Sequence, residues 1–275
     1  MMREIKAIAL DLDGTLLTSD KKITDTTKKA LQKAQDKGIK IVLCTGRALK
    51  GVRPLLEELD LFSEDDVVIT YNGGVIQKTK SQEILFQEAH TKEDVMYIYE
   101  ETRKVNLPMN MLDLEYVYEP EYPSNRASRY HDIMGMLDFV KMNPEDLAND
   151  QILNKAVLCY DEAILDEEFP KLPAEFTKRF NCMKSRPILM EVLPKNVNKG
   201  QALVHLASVL GIGIENIMAC GDADNDLDMI REAGLGVAMA NATNSVKAVA
   251  DYITTSNNED GVAKAIDYML ENSEE

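Results

Sequence analysis

The chain has 275 residues, of which 45% are hydrophobic and 28% charged, a composition typical of a globular protein with one large domain or two ordinary ones. The formal net charge of -16 at pH 7 would repel nucleic acid and anionic lipid, which disfavours a polyanionic partner. No apolar run reaches the roughly 20 residues of a membrane-spanning helix and no signal-peptide pattern is visible, so we expect a cytoplasmic protein without membrane contact.

The first third of the chain alternates short apolar runs with amphipathic stretches. An N-cap at Thr24 or Asp25 and a stop at Gly38 delimit the first helix. Strands that alternate with helices imply right-handed crossovers and a mostly parallel sheet. In chain order we predict a strand at 6–10, a helix at 24–37, a strand at 39–44, a helix at 49–59 and a strand at 67–71.

The middle of the chain has a different pattern, in which strands come in adjacent pairs. This pairing predicts an antiparallel sheet with helices, which would be a separate α+β unit. After a hairpin at 75–77 and 84–86 we predict a helix at 92–104, strands at 108–112 and 116–119, a helical stretch at 126–136, strands at 154–160 and 180–184 around another helix, and a strand at 188–192.

The last third returns to strands that alternate with helices. Because this pattern lies on both sides of the middle segment, we predict one α/β core formed by 1–84 and 194–275, with an α+β domain inserted at 85–193. The elements predicted here are a helix at 201–210, a strand at 216–220, a helix at 225–232, a strand at 235–239, a short segment at 245–250, a strand at 252–254 and a helix from about 260.

Two carboxylates follow the first predicted strand in the sequence DLDGT. Because side chains two positions apart on a strand point the same way, Asp11 and Asp13 should emerge together. Adjacent carboxylates repel each other, so one gains proton affinity and the pair attracts a cation. The pair can therefore provide a nucleophile and a proton donor, although an Asx turn into Gly14 would have the same letters.

Polar residues also follow the second strand and the inserted segment. Thr45-Gly46-Arg47 places a hydroxyl and backbone amides at a strand-to-helix turn, which suits a phosphate group but is also common turn chemistry. Lys199 precedes the helix that leads into the next core strand. By itself it would be an ordinary surface lysine, and its position relative to the other motifs makes it a candidate for balancing phosphate charge.

The sequence GDADND, residues 221–226, follows the predicted strand at 216–220. Its three acids and one amide suit a hard, oxygen-liganded cation such as Mg²⁺, although an acidic helix start has a similar composition. The four cysteines and three histidines have no zinc-ligand spacing. Together the motifs supply a nucleophile, an acid/base, a hydroxyl group, a cation and a metal anchor, which is the set that phosphoryl transfer requires.

These motifs, with VLCTGR, ITYNGG, VNKG and SNNEDGVAKAI in the same order, resemble the haloacid-dehalogenase (HAD) superfamily, and more narrowly its Cof-type, YidA-like sugar-phosphate phosphatases. The resemblance implies an α/β fold, a Rossmann-like HAD core with a mostly parallel sheet, and an inserted α+β cap of the C2 type that sets specificity. It implies a Mg²⁺-dependent phosphoric monoester hydrolase that acts on a small phosphorylated metabolite, such as a sugar phosphate, through a phosphoaspartate. We expect a monomer or a homodimer.

The resemblance also implies roles for individual residues. Asp11 would attack phosphorus, and Asp13 would protonate the leaving alcohol and then activate water. Phosphate and substrate would be bound by Thr45, the amides of Leu12 and Gly46, Lys199, Asn225, Arg47 and Asn72. Mg²⁺ would be held by the Asp11 carboxylate, the Asp13 carbonyl and Asp222, with Asp226 steadying them.

Two other functions remain open on the sequence alone. A sugar phosphomutase of the same superfamily has the same motifs but returns the phosphoryl group to a sugar. A non-catalytic phosphometabolite-binding protein would keep the fold without turnover, although both acids, the lysine and the metal anchor are present. Free sugar and inorganic phosphate as products would distinguish hydrolysis from both.

Overall fold

The computed structural model describes residues 4–272, and within them the chain forms two compact units. The first unit contains the described residues up to Phe86 and those from Asn198 onward, and the second unit is Gln87–Val197. No helix among residues 4–272 is both long enough and apolar enough to cross a membrane.

The secondary structure consists of short strands and helices, and most bounds lie within one or two residues of the predicted ones. The strands are Ala7–Leu10 (β1), Lys40–Leu43 (β2), Val67–Thr70 (β3), Val75–Lys78 (β4), Ile84–Gln87 (β5), Asn110–Leu112 (β6), Tyr116–Glu119 (β7), Asp138–Lys141 (β8), Lys155–Cys159 (β9), Phe180–Arg186 (β10), Leu189–Pro194 (β11), Ile217–Gly221 (β12), Leu235–Ala238 (β13) and Tyr252–Ile253 (β14). The helices are Asp25–Asp36 (α1), Leu49–Glu58 (α2), Lys92–Lys104 (α3), Glu162–Glu168 (α4), Ala174–Arg179 (α5), Lys199–Leu210 (α6), Leu227–Glu232 (α7), Asn244–Val249 (α8) and Gly261–Asn272 (α9).

The first unit is built on a five-stranded parallel sheet in the order β14–β13–β12–β1–β2. All four residues of β1 are buried, as expected for a strand in a parallel sheet that is covered on both faces. The last of them, Leu10, is level with Cys220 of β12 and Leu43 of β2. Three adjacent strands therefore end at the same edge of the sheet, and the residues that follow them come together there.

A smaller antiparallel sheet, β3–β4–β5, follows β2 through a parallel bridge between Cys44 and Ile69. The predicted limits of the first helix are confirmed. The Thr24 hydroxyl accepts a hydrogen bond from the Thr27 amide, and Gly38 ends the helix with a φ of 82°. That left-handed conformation is one that glycine adopts without steric cost.

The second unit has one six-stranded sheet in the order β10–β11–β9–β6–β7–β8. Its strand pairs are antiparallel except for β7 and β8. Met111, Ala156 and Val192 form a row across three strands on the face that packs against the helices. The predicted fold class, an α/β core with a mostly parallel sheet and a separate α+β segment, is confirmed.

Two predicted elements of the second unit are wrong, and one strand was not predicted. The stretch 126–136 contains only a single 3₁₀ turn, Tyr130–Asp132, instead of an α-helix. Asn125 before it is left-handed, and the Ser128 hydroxyl accepts a hydrogen bond from the Tyr130 amide, so local side-chain bonds replace helical ones. The next segment forms β8, which was not predicted. The single helix predicted between 160 and 180 is instead two helices, α4 and α5, separated by a segment that contains Pro170 and Pro173.

We expect Phe176→Ala to destabilise the second unit. Phe176 is fully buried on α5, and its ring lies 5.2 Å from that of Phe180, so its loss leaves a cavity that costs about 3–5 kcal/mol. Urea unfolding measures the loss. Tyr116→Ala on β7, where the side chain is exposed, is the control and should cost less than about 1 kcal/mol. Equal losses in the two variants would contradict the packing described.

Candidate active site

Three polar residues lie where adjacent parallel strands end. Asp11 directly follows β1, Asp222 directly follows β12, and Thr45 lies two residues beyond the end of β2. The Asp11 amide donates a hydrogen bond to the carbonyl of Cys220, so the first residue after β1 is still tied to the neighbouring strand. Ligands bind at such carboxyl edges in open α/β sheets. Side chains that are far apart in sequence are thereby placed at one edge by strand register alone.

A buried lysine connects two of the acids. The Nζ atom of Lys199 donates hydrogen bonds to Asp11 Oδ1 at 2.5 Å and to Asp226 Oδ1 at 2.6 Å. The Lys199 side chain is fully buried and begins α6, whose N-cap is Asn198. A buried ammonium group is tolerated only when it is paired, and here two carboxylates pair with it.

The Asp226 side chain is committed to the protein on both oxygens. While Oδ1 accepts from Lys199, Oδ2 accepts from the amides of Asp222 and Ala223, each at 3.0 Å. These bonds fix the loop that carries Asp222. The geometry is that of a carboxylate that orders the site rather than one directed at a ligand.

Asp222 is held from the opposite side by the loop after β1. The Thr15 hydroxyl donates to Asp222 Oδ1 at 2.8 Å. Gly14 has a φ of 90°, and a Cβ at that position would lie 2.3 Å from Asp222 Oδ2. Only glycine therefore satisfies both the backbone conformation and the close approach of the carboxylate.

Asp13 points towards two cations. Arg47 Nη2 donates to both of its carboxylate oxygens, at 2.8 and 2.7 Å, and Lys21 Nζ donates to Oδ1 at 2.7 Å. The Thr45 hydroxyl, which is buried, accepts from the Arg47 amide at 3.2 Å. Arg47 thus connects the loop after β2 to the second carboxylate of the DLDGT motif.

The segment after β3 supports the Thr45 loop. Tyr71, Asn72 and Gly73 are all left-handed, and the Asn72 amide donates to the Thr45 carbonyl at 2.9 Å. The buried Asn72 side chain lies directly beneath Gly46, where a Cβ would meet its amide group at 2.8 Å. The structure therefore places Asn72 against the candidate phosphate loop.

The remaining predicted residues also lie at this edge of the sheet. Leu12 is fully buried between the two acids of its motif. Asn225 is half-buried in the 3₁₀ turn Asp224–Asp226. The neighbouring Asp224 is exposed, and the hydroxyls of Thr243 and Ser245 donate to it.

The acids at this site have pKa values shifted in opposite directions. Burial raises the pKa of Asp11 to about 7 and that of Asp222 to about 6, and the charge of Asp226 adds to both effects. Burial would lower the pKa of Lys199, but the adjacent carboxylates outweigh it and raise this pKa above its ordinary value. For Asp13 burial is outweighed by the hydrogen bonds from Lys21 and Arg47, which lower its pKa.

The excess of negative charge fits a divalent cation. Oxygens of Asp11, Asp222 and Asp226 lie within 4.8 Å of one another, the one such acidic cluster found among residues 4–272. A single lysine cannot neutralise three carboxylates, so the charge of Asp226 adds to the effect of burial on the pKa values of Asp11 and Asp222, and a proton or a metal would offset the remaining negative charge. Donors that are all oxygen suit a hard cation. The residues present therefore fit such an ion.

Two contacts at the site were not predicted from the sequence. Thr15 belongs to the DLDGT motif, but nothing in the motif alone indicates a bond to an acid 207 positions away. Lys21 lies in a run of polar residues, where its charge is unremarkable. The sequence at 18–22 is compatible with a three-residue hairpin turn, but it does not indicate which residue Lys21 contacts.

The comparison with known families decides the identity. The family model for haloacid dehalogenase-like hydrolases matches residues 8–266. The chain belongs to this family. A 5-amino-6-(5-phospho-D-ribitylamino)uracil phosphatase of Bacillus subtilis, YcsE, is 37% identical over 267 residues, covering 97% of this chain and 96% of the relative.

Solved structures agree with this membership. A haloacid dehalogenase-like hydrolase from Bacteroides thetaiotaomicron superposes with a TM-score of 0.82 at 32% identity, over 97% of this chain and all of that one. The HAD subclass IIB sugar phosphatase BT4131 has a TM-score of 0.77 at 26% identity, over 96% of this chain and 98% of that one. The recognition of the family and the prediction of a phosphoric monoester hydrolase are confirmed.

In this HAD hydrolase we expect Gly14→Ala to displace Asp222. The new Cβ would overlap the carboxylate, so the apparent affinity for Mg²⁺ should fall. The left-handed backbone at this position should also destabilise the variant by about 1–3 kcal/mol. Gly38→Ala is the matched control, because Gly38 is also left-handed but has no atom within 4 Å of an added Cβ. Magnesium titration of thermal stability measures the affinity. Unchanged Mg²⁺ affinity in Gly14→Ala would contradict the close approach.

We expect stabilisation by Mg²⁺ to increase with pH. Because the pKa values of Asp11 and Asp222 are raised, the metal-free folded state holds more protons than the unfolded chain between about pH 4 and 7. The contribution of these two groups to the free energy of unfolding therefore decreases as pH rises through that range. A cation competes with those protons, so the Mg²⁺-induced rise in Tm should be larger at about pH 8 than at about pH 5. Scanning calorimetry with Mg²⁺ and with EDTA measures it. Asp222→Asn should reduce the difference, and an equal rise at both pH values would contradict the assignment.

Proposed function

We propose that this hydrolase is a Mg²⁺-dependent phosphatase of small phosphorylated metabolites, foremost sugar phosphates, that acts through a phosphoaspartate on Asp11. The observation that carries the proposal is the buried Lys199 between Asp11 and Asp226, next to Asp222, at the carboxyl edge of the sheet. This arrangement keeps one carboxylate beside fixed positive charge while leaving an unbalanced negative charge for a metal.

The proposed chemistry has two displacements at phosphorus. A carboxylate oxygen of Asp11 attacks the phosphorus atom, the bond from phosphorus to the alcohol oxygen breaks, and Asp13 donates a proton to the departing alcohol. In the second step Asp13 takes a proton from water, the water oxygen attacks phosphorus, and the bond to Asp11 breaks. The products are the free alcohol and inorganic phosphate, and both carboxylates return to their starting state.

The residues around Asp11 would hold the phosphoryl oxygens. Lys199 balances their charge, and the Thr45 hydroxyl with the amides of Leu12 and Gly46 donates hydrogen bonds to them. Asn225, Arg47 and Asn72 are assigned to the phosphate and to the orientation of the substrate. The fixed position of the Thr45 loop on Asn72 supports the assignment of Thr45 and Gly46 to the phosphate.

Mg²⁺ would be held by the Asp11 carboxylate, the Asp13 carbonyl and Asp222. When bound, it would reduce the repulsion between the nucleophile and the phosphate and polarise a phosphoryl oxygen. Asp226 would steady this set through its bonds to the Asp222 amide and to Lys199.

The named relatives support a substrate in which a phosphate esterifies a sugar or a sugar alcohol. One is named for a phosphorylated ribityl compound and one as a sugar phosphatase. We assign the choice among such esters to the inserted domain, placed at 85–193 by the sequence. The working form is taken as a monomer or a homodimer in the cytoplasm.

The test is phosphate release from p-nitrophenyl phosphate and a panel of sugar phosphates, with Mg²⁺ and with EDTA. We expect metal-dependent turnover by the wild type and a fall of at least about 1,000-fold in Asp11→Asn, which removes the nucleophile. Asp224→Asn is the matched control, because Asp224 is an exposed acid of the neighbouring motif and is expected to keep nearly full activity.

Two results would contradict the proposal. If folded, Mg²⁺-loaded wild type releases no phosphate from any ester, the proposed hydrolysis is wrong, and a non-catalytic phosphometabolite-binding protein or a narrow phosphomutase becomes the better interpretation. If a hexose phosphate is converted to an isomer without free phosphate, the protein is a phosphomutase. Mass spectrometry of the acid-quenched wild type should also find the phosphoryl group on the peptide that contains Asp11.

A further inference from the structure

Lys21 is one of two cations on the carboxylate assigned as acid and base. Its Nζ atom lies 2.7 Å from Asp13 Oδ1, eight positions earlier in the chain. We propose that Lys21 is a positioning residue that fixes the orientation of the Asp13 carboxyl for proton transfer to the leaving alcohol. This role rests on the phosphatase function proposed above.

The backbone of Lys21 gives the first argument. Lys21 donates its amide to the Thr18 carbonyl, and the Thr18 amide donates to the Lys22 carbonyl, which defines a three-residue hairpin loop. In such loops the last residue is left-handed and is usually glycine. Lys21 has a φ of 60°, so the chain carries a long side chain at a position where glycine would be free of strain. A strained non-glycine residue beside a reactive group points to a role for its side chain.

Stability does not explain the contact. Side-chain exposure is 62% for Lys21 and 42% for Asp13, and ion pairs between exposed groups contribute little to folding. Arg47 already pairs with the same carboxylate. A second cation there adds order to the carboxylate more than it adds stability to the fold.

Arg47 alone leaves the carboxylate able to pivot. Both of its hydrogen bonds to Asp13 come from a single nitrogen, Nη2, so the carboxyl group can turn about that point while keeping the pair. Lys21 adds a second contact, from another part of the chain, on Oδ1. Two separate donors hold an orientation that one nitrogen cannot, and proton transfer requires the acid within hydrogen-bond reach of the leaving oxygen.

The loop that carries Lys21 is itself anchored. Asn257 Nδ2 donates to the Leu17 carbonyl at 2.8 Å. Asn258 Oδ1 accepts a hydrogen bond from the Ser19 amide, and Asn258 Nδ2 donates one to the Ser19 hydroxyl, each at 2.9 Å. These bonds join the hairpin to residues about 240 positions later in the chain. Lys21 therefore projects from a fixed base.

The test compares substrates whose leaving groups differ in their need for a proton. We expect Lys21→Gly to lower kcat/KM about 10- to 100-fold for the best sugar phosphate, whose alkoxide must be protonated, and about 3-fold or less for p-nitrophenyl phosphate. The parameter kcat/KM covers the steps up to departure of the alcohol, so hydrolysis of the phosphoenzyme does not obscure the difference. Asp13→Asn should show the same selectivity with a larger effect. Lys21→Arg should recover most of the activity on the sugar phosphate.

The glycine variant separates positioning from folding. Glycine relieves the left-handed strain, so Tm should stay within about 4 °C of the wild type. Gln82→Gly is the matched control, because Gln82 is an exposed, left-handed residue between β4 and β5, and it should keep the wild-type kcat/KM on both substrates.

Three results would overturn the inference while leaving the proposed function intact, provided that wild type turns over and Asp13→Asn shows the selectivity. The first is an equal fall of kcat/KM on both substrates in Lys21→Gly, which indicates general attraction of the anionic ester by the lysine charge. The second is no fall of kcat/KM on either substrate. The third is a fall of kcat/KM in Lys21→Arg as large as in Lys21→Gly. If wild type hydrolyses neither ester, the proposed function fails first and this inference fails with it.

Discussion

The organisation of the first unit depends on one buried ammonium group between carboxylates. Lys199 has no access to water and would be costly to bury without Asp11 and Asp226, while each of these acids would be costly to bury without the lysine. The three groups come from the end of β1, the start of α6 and the turn after β12. The parallel strands, the Asn198 cap and the amide bonds to Asp226 all act to bring them to one point.

Two carboxylates of the same short motif are thereby placed in opposite environments. Asp11 is buried near like charges, and its proton affinity rises, whereas Asp13 lies in partial contact with solvent beside two cations, and its proton affinity falls. These metal-free shifts are the reverse of what the proposed steps need, because Asp11 would attack as an anion and Asp13 would start protonated. A cation bound by the Asp11 carboxylate would lower its proton affinity. Two positions of sequence are enough to separate these environments, because Asp11 is buried at the edge of the sheet whereas the Asp13 side chain is partly exposed beyond it.

Much of this could be predicted from the sequence because the signals are local. Apolar runs such as AIAL give strands, polar residues directly after them give the edge of a parallel sheet, and a left-handed glycine ends α1. The helix predicted at 126–136 is wrong because Asn125 is left-handed and the Ser128 hydroxyl bonds the Tyr130 amide, and these local interactions cannot be read from the composition of the segment. The contacts of Lys21 and Thr15 could not be foreseen, because each depends on the course of a turn and on a partner fixed by distant chain.

The pairing of Asp11 with Lys199 also bears on how the protein is synthesised. The two residues are 188 positions apart, and the whole second unit lies between them. While a ribosome is still translating that segment, the acidic motif after β1 already exists without its counter-charge and without the neighbouring strand β12. The nascent chain therefore passes through a long interval in which Asp11 lacks both the ammonium group and the neighbouring strand that surround it in the folded protein, and the cluster can assemble only after residues beyond β12 have emerged.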